Sequence, residues 1–279
     1  MLDVSPVRRV VPGLEDRSYE RVALFGGVYS NHLALREALR IAREREVEQI
    51  FFLGDAGGFG PHPDRAIELL AEHRIAGVAG NYDLAIVRGD PDCGCGYTDP
   101  RDNRYAQLSY EYTLARTSAP ARDYLAGLAP AIRIRAGEHR VLLCHGSPRR
   151  VNEFLWESAT PAAFIEKMLR DADADVIACT HTGLHWHRAL DDARHVVNVG
   201  AIGRPANDGR TDVWFAILTA AAGRALGVEF VPVAYDYKAL AREMAEESLP
   251  PEFIETILSG WWTSCLEILP PKERARGRY

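Results

Sequence analysis

The stretch Ile50-Phe51-Phe52-Leu53-Gly54-Asp55-Ala56-Gly57-Gly58 decides how the chain is read. An unbroken apolar run stops at a glycine, and an aspartate follows at once. A short run that is apolar at every position, with no polar alternation, is the pattern of a strand covered on both faces. In open α/β sheets ligands bind in the crevice beyond the carboxyl ends of such strands. The same order of residues recurs along the chain. Ile75 to Val78 is followed by Gly80-Asn81, Val141-Leu142-Leu143-Cys144 by His145, and Val176-Ile177-Ala178-Cys179 by His181. Taken singly, an Asp or Asn after Gly is a common turn residue, and a strand-end histidine is an ordinary hydrogen-bonded one. Taken together, Asp55, Asn81, His145 and His181 describe a shared polar site that could bind a divalent metal through mixed oxygen and nitrogen ligands.

Working outward, residues 21–28 form another β-rich run that turns at Gly26-Gly27. Residues 33–45 place Leu33, Leu35, Ala38, Leu39 and Ala42 at helical spacing, and residues 63–73 read as a helix opened by Pro63 and Asp64. Strand–helix alternation of this kind predicts an α/β fold with a parallel sheet covered on both faces. Residues 88–103 are polar and rich in Gly, Pro, Asp and Cys, and are expected as a loop or lid over the site. Helices are expected over 105–116, 120–128, 161–170, 238–247 and 251–258. Further strands are expected over 131–135, 140–144, 176–179 and 195–199, with two longer runs at 212–219 and 225–233. The domain reading is an N-terminal extension over 1–20, one domain over 21–260 and a tail over 261–279, whose basic end (272–279) is expected to be solvated.

Composition narrows the class. The chain has 279 residues, 47% hydrophobic and 26% charged, which suits a globular protein with a sizeable core and excludes a disordered or collagen-like chain. Lys and Arg number 33 against 39 Asp and Glu, a net charge of −6, so no nucleic-acid partner is expected. The five cysteines (Cys93, Cys95, Cys144, Cys179, Cys265) are odd in number and scattered, which argues against a secreted disulfide framework. Met1 to Gly13 carries no apolar signal core, and the longest apolar stretch, Val213 to Ala222, is far shorter than the roughly 18–20 residues that span a bilayer. The expectation is a cytoplasmic protein with a small anionic substrate, without membrane contact, and with homo-oligomerisation left open. There is no Gly-x-Ser-x-Gly elbow, Walker loop or His-Glu-x-x-His.

The segments Gly54-Asp55, Gly80-Asn81-Tyr82-Asp83, Cys144-His145-Gly146 and Thr180-His181-Thr182 resemble, in order and context, the successive signatures of the calcineurin-like metallophosphoesterases. The resemblance is closest to the small bacterial phosphodiesterase branch. It runs from about Val22 to about Gly260 and includes Asn198-Val199-Gly200 and Tyr235-Asp236. It implies two mixed β-sheets packed face to face with flanking helices, and two metal ions bridged by Asp55. The chain departs from the family in one respect. Gly27 and Tyr29 stand where an Asp-x-His motif is expected, and Gly183 stands where a Gly-His-x-His motif would end. In the family those three missing ligands serve one metal, while the ligands of the other metal remain.

Three readings follow. The first is a hydrolase of small phosphate mono- or diesters with one divalent ion (Zn, Mn or Fe) on Asp55, Asn81, His145 and His181. The second is a rebuilt second site, using Tyr29, Cys93, Cys95, His185 or His187. The third is a non-hydrolytic protein on the same scaffold, either a ligand-binding pseudoenzyme or a metalloenzyme of other chemistry. Asp55, Asn81 and His145 are the candidate catalytic residues. Arg149 and Arg204 suit an anion, since the guanidinium fork matches phosphate. Asn31 lies at a helix start that favours anions, and Tyr82 stands where many relatives carry a proton-donating His. Each also has a bland reading: a tight Cys-Gly-Cys turn, surface-loop histidines, or solvated arginines. Trp186, Trp261 and Trp262 read as core or interface aromatics.

Overall fold

Alternation along the strands sorts side chains into two cores. In the computed structural model, which describes residues 17–220 and 225–278, the strands are β1 (Ser18–Tyr19), β2 (Arg21–Phe25), β3 (Gln49–Phe52), β4 (Ala76–Gly77), β5 (Ile132–Ala136), β6 (His139–Leu143), β7 (Val176–Cys179), β8 (His185–Ala189), β9 (His195–Val199), β10 (Val213–Thr219) and β11 (Gly227–Val233). Val22 and Leu24 of β2 face one core while Ala23 and Phe25 face the other. The expected extension over 1–20 lies mostly outside the described residues.

The strands form a five-stranded sheet in the order β11-β10-β2-β3-β4 and a six-stranded sheet in the order β1-β5-β6-β7-β9-β8. Both are mixed. The parallel runs are β2-β3-β4 and β6-β7-β9, flanked by antiparallel neighbours, and the short edge strand β1 pairs in parallel with β5. The two sheets pack face to face, with Leu24, Phe51, Leu53, Val141, Leu143, Val176, Val197 and Leu218 between them. Helices α1 (His32–Glu44), α2 (Pro63–Glu72), α3 (Asn81–Arg88), α4 (Pro100–Arg116) and α5 (Ala119–Ala126) belong to the core on the outer face of the five-stranded sheet. Helix α6 (Ala162–Asp171) covers Ile177, Cys179 and Val196 on the outer face of the other sheet. Helices α7 (Tyr237–Glu246), α8 (Pro251–Ser259) and α9 (Pro271–Arg276) follow. Parallel strands covered on both faces explain the continuous apolar runs. The four-layer α/β sandwich expected from the resemblance is the fold observed.

Several local expectations need correction. Gly80-Asn81-Tyr82-Asp83 is not a bare turn but the first turn of α3, because the Asp83 carboxylate accepts the Gly80 amide at 2.8 Å and caps the helix. Helix α4 starts at Pro100 instead of 105, since Asp99 Oδ1 accepts the amides of Arg101 (2.7 Å) and Asp102 (3.4 Å). The loop expected over 88–103 therefore shortens to 89–99. The edge strand β8 was not foreseen. The basic end stays largely in solvent, with Lys272 and Arg276 exposed, but it is pinned at one point: buried Glu273 accepts the Ser158 amide at 2.8 Å and its hydroxyl, while upstream Trp262, Leu266 and Leu269 share a core with Trp156. No described helix is long and apolar enough to cross a membrane.

Candidate metal centre

Asp55 follows β3, Asn81 opens α3 just after β4, and His145 and His181 follow β6 and β7. Two of these strands belong to each sheet, so the four side chains meet across the seam of the sandwich. His145 Nε2 lies 3.2 Å from Asp55 Oδ2 and 3.2 Å from His181 Nδ1. One ligand atom each from Asp55, His145 and His181 lies within 4.8 Å of the others, and all three residues are buried. Among the described residues this is the one cluster of His, Cys, Asp and Glu that could hold a metal ion.

The donor set fits such an ion. His145 Nδ1 donates to the Leu53 carbonyl at 2.7 Å, which fixes the tautomer and leaves Nε2 with a lone pair facing Asp55. Asn81 Nδ2 donates to the Cys93 carbonyl at 2.8 Å, so its Oδ1 is the free end, and that oxygen is buried without a partner. His181 Nε2 is also buried without a partner. Orphaned polar atoms of this kind are costly unless something occupies them. Burial and the neighbouring His145 pull His181 down to about 3, which keeps its imidazole neutral and able to ligate. Burial works against the His145 imidazolium too, but the Asp55 carboxylate outweighs it and raises its pKa.

The backbone is bent to make this arrangement. Asp55 (φ 63°) and His181 (φ 68°) both sit in the left-handed region, which costs a side-chain-bearing residue on the order of 1–3 kcal/mol. Asp83 supports the first bend by accepting the amides of Asp55 (2.8 Å), Ala56 (2.9 Å) and Gly80 (2.8 Å). Burial and the Asp55 charge push Asp83 up to about 6 despite those three donors. The Asp55 carboxylate in turn accepts the Tyr82 amide at 3.1 Å.

The opposite wall of the site is made by Tyr29 and Arg204. A β-carbon on Gly27 would fall 2.5 Å from Tyr29 Cε1 and 2.8 Å from its hydroxyl oxygen. The Tyr29 ring thus occupies the space into which a longer residue at 27 would project, so Gly27 and Tyr29 are a matched pair. A β-carbon on Gly183 would fall 3.2 Å from the Trp262 ring and 3.5 Å from Arg204 Nη2. Burial, then the Asp55 charge, raises the Tyr29 hydroxyl well above the usual phenol range, against the opposing pull of Arg204. Tyr29, Asp55, Asn81, Tyr82, His181 and Arg204 line a narrow cavity of about 60 Å³, measured to the centre of a water-sized sphere. That is room for a handful of waters or a small anion.

The remaining candidates fall elsewhere. Cys93 and Cys95 are joined in a disulfide, which removes the thiolates a metal would need, although Cys95 still lines the cavity and its Sγ meets Asn81 Nδ2 at 3.4 Å. His185 packs on Trp214 and Phe230, and His187 pairs with His195 at 3.0 Å, both on edge strand β8 outside the cluster. Arg149 is exposed, pairing with Glu153 at 3.5 Å and stacking on Phe164, so it does not reach the cavity. Asn31 caps α1 by accepting the Ala34 amide at 3.0 Å while its amide group donates to Gly203, a structural role. Tyr82 donates to the Ala106 carbonyl at 3.3 Å, and burial holds its hydroxyl far above the phenol range, so it does not replace a proton-donating histidine. Trp262, expected as a core or interface aromatic, is also the platform under Arg204, with the guanidinium carbon 3.5 Å from its ring centroid.

The profile of the calcineurin-like phosphoesterase superfamily domain matches residues 21–223. An uncharacterized protein of Methanocaldococcus jannaschii is 22% identical over 251 residues, spanning 86% of this chain and 98% of the relative. A metallophosphoesterase from Sphaerobacter thermophilus superposes with a TM-score of 0.65 at 25% identity, covering 87% of this chain and 99% of the other. A hypothetical protein from Pyrococcus horikoshii OT3 superposes with a TM-score of 0.72 at 24% identity, covering 88% of this chain and 100% of the other.

Proposed function

Since the chain belongs to the calcineurin-like phosphoesterase superfamily, a metal-dependent group, we propose that it hydrolyses a small phosphate mono- or diester with one divalent transition metal per chain. Asp55, Asn81, His145 and His181 would hold the ion. The observation that carries this reading is the convergence of Asp55, His145 and His181 within 4.8 Å, joined by the orphaned Asn81 Oδ1. Mixed carboxylate, amide and imidazole donors suit Zn, Mn or Fe. When bound, such an ion supplies Lewis acidity toward a phosphoryl oxygen and lowers the pKa of water. The chain's own residues do the rest. The Leu53 carbonyl orients His145, the three amides held by Asp83 fix the Asp55 bend, and the narrow aromatic cavity limits bulk water around the reacting group.

A second reading, a ligand-binding protein without turnover, draws on Tyr82, whose buried hydroxyl leaves no proton donor at that position. Metal-replete wild type and the Asp55→Asn/His145→Ala double variant separate the two. The hydrolase reading expects about one metal ion per chain and cleavage of p-nitrophenyl phosphate or its bis-ester by wild type alone. If wild type cleaves neither ester above the double variant, hydrolysis is the wrong reading.

A further inference from the structure

Arg204 is only 8% exposed, and a guanidinium taken out of water needs a partner. Among the described residues no carboxylate pairs with it, and its Nε is buried with no acceptor. It is held by ring faces instead: its Cζ lies 3.5 Å from the Trp262 centroid and 5.7 Å from that of Phe59. Trp262 is itself anchored, donating from Nε1 to the Pro205 carbonyl at 2.7 Å and from its amide to Asn207 Oδ1 at 2.8 Å. A ring face compensates part of the cation's charge but accepts none of the five N–H donors of a guanidinium in strong hydrogen bonds. The group lines the same cavity as Asp55, Asn81 and His181. A buried, rigidly backed cation with no hydrogen-bond acceptor among the described residues, beside a candidate metal-ligand cluster, has the chemistry to receive an anion that bridges the two.

The geometry on this side also leaves little room for a second ion. The Tyr29 ring lies against Gly27 and the Trp262 ring that backs Arg204 lies against Gly183, so a side chain at 27 would have to displace Tyr29 and one at 183 would press on Trp262. At Gly183 the backbone adds a further obstacle, because its φ is +74°.

We propose that Arg204, backed by Trp262, receives the free oxygens of a phosphoryl group held at the Asp55–His145–His181 cluster, and that Arg204 and Tyr29 together exclude a second metal ion. The inference rests on the phosphoesterase reading and deepens it: a fixed guanidinium supplies the cationic contact that a second ion would otherwise make. The ligand class is a tetrahedral oxyanion with at least two unsubstituted oxygens, because the guanidinium fork uses two parallel N–H donors.

Inorganic phosphate is the probe, titrated calorimetrically into the full chain with and without Mn2+, alongside metal counting by mass spectrometry. Wild type is expected to bind phosphate and to hold one metal ion per chain. Arg204→Met is expected to weaken phosphate binding by about tenfold or more while the ion at the Asp55 cluster is retained. Arg204→Lys keeps the charge but not the fork, and is expected to recover only part of the affinity. Phosphate affinity in Arg204→Met or Arg204→Lys equal to wild type overturns the receptor, as does wild type that ignores millimolar phosphate. Two ions per chain in wild type overturns the exclusion whether or not the variants fold. None of these readouts needs turnover. A protein that cleaves no ester yet binds phosphate through Arg204 loses the hydrolase reading and keeps this one, and active enzyme with Arg204-independent phosphate binding does the reverse.

Discussion

Gly80→Ala tests whether the position of Asp55 is set by the glycine that precedes Asn81. Gly80 has φ −85° and ψ 176°, ordinary extended backbone that alanine adopts without strain. On conformational grounds alone the change would stabilise the fold by about 0.4–1 kcal/mol through the unfolded chain. Its new β-carbon, however, would fall 2.5 Å from the Asp55 amide nitrogen and 2.8 Å from Asp55 Cγ, and closer still to Oδ1. Ordinary contacts begin near 3.5 Å, so the carboxylate has to retreat by on the order of 1 Å. Overpacking of this kind costs about 1–3 kcal/mol, which sets a net destabilisation between roughly zero and 2.5 kcal/mol. For a chain of this length that is a fall in Tm of at most about 10 °C. The effect on the site is larger than on the fold, because displacing a supported ligand typically costs about 10–100-fold in metal affinity. Calorimetric titration of Mn2+ gives the affinity and circular dichroism the Tm. Gly127→Ala is the control, with φ −81° and its nearest neighbour, the Tyr124 carbonyl oxygen, 3.3 Å from the new carbon. If Gly80→Ala keeps wild-type metal affinity, or Gly127→Ala loses as much, the steric account of Asp55 is wrong.

Two further outcomes are expected. Burial lowers the pKa of His32, His181, His185, His187 and His195, so below about pH 6.5 the unfolded chain takes up protons that the folded chain refuses. Their contribution to stability is full above that pH and is lost as pH falls toward their folded values; Asp83 and His145, both raised, work in the opposite direction. The Tm of metal-free protein should therefore fall between pH 7.5 and 5.5 with proton uptake on unfolding, and a flat or rising Tm would contradict the five-to-two balance. The Cys93–Cys95 disulfide closes a very short loop, so Cys93→Ser/Cys95→Ser should cost less than about 2 kcal/mol globally. It should nonetheless raise hydrogen exchange within 89–99, whose Cys93 carbonyl holds Asn81; unchanged exchange there would show that the disulfide does not order the loop.

What could be read in advance follows from the range of the interactions. The runs ending at Leu53, Cys144 and Cys179 are apolar because their strands are covered on both faces, and that local signal was enough to bring Asp55, His145 and His181 together. Helix α3 escaped because its cap depends on Asp83, a residue that also binds Asp55 and Ala56, and a turn and a capped helix begin with the same letters. The start of α4 was legible in Asp99-Pro100, a capping residue before an N1 proline, but the surrounding polar loop masked it. Arg204 could be picked out as a cation but not its setting, since Trp262 comes from a segment 58 positions later that looked like core. The pairing of Gly27 with Tyr29 read as two losses; only the packed ring shows that one residue fills the space the other leaves.

The centre is assembled from both sheets, and this has a consequence for the order of events during synthesis. The hydrogen bond that aims His145 joins residues 92 positions apart, and Gly27 meets Thr180 across 153 positions. No early fragment of the chain can present all four side chains. A nascent chain that has made only β2, β3 and β4 carries Asp55 and Asn81 but neither histidine, and the sheet those strands belong to waits for β10 and β11. An ion on the proposed ligands could meet all four only after His181 has left the ribosome, with β8 to β11 still to follow, so its capture would come late and would not nucleate β2, β3 and β4.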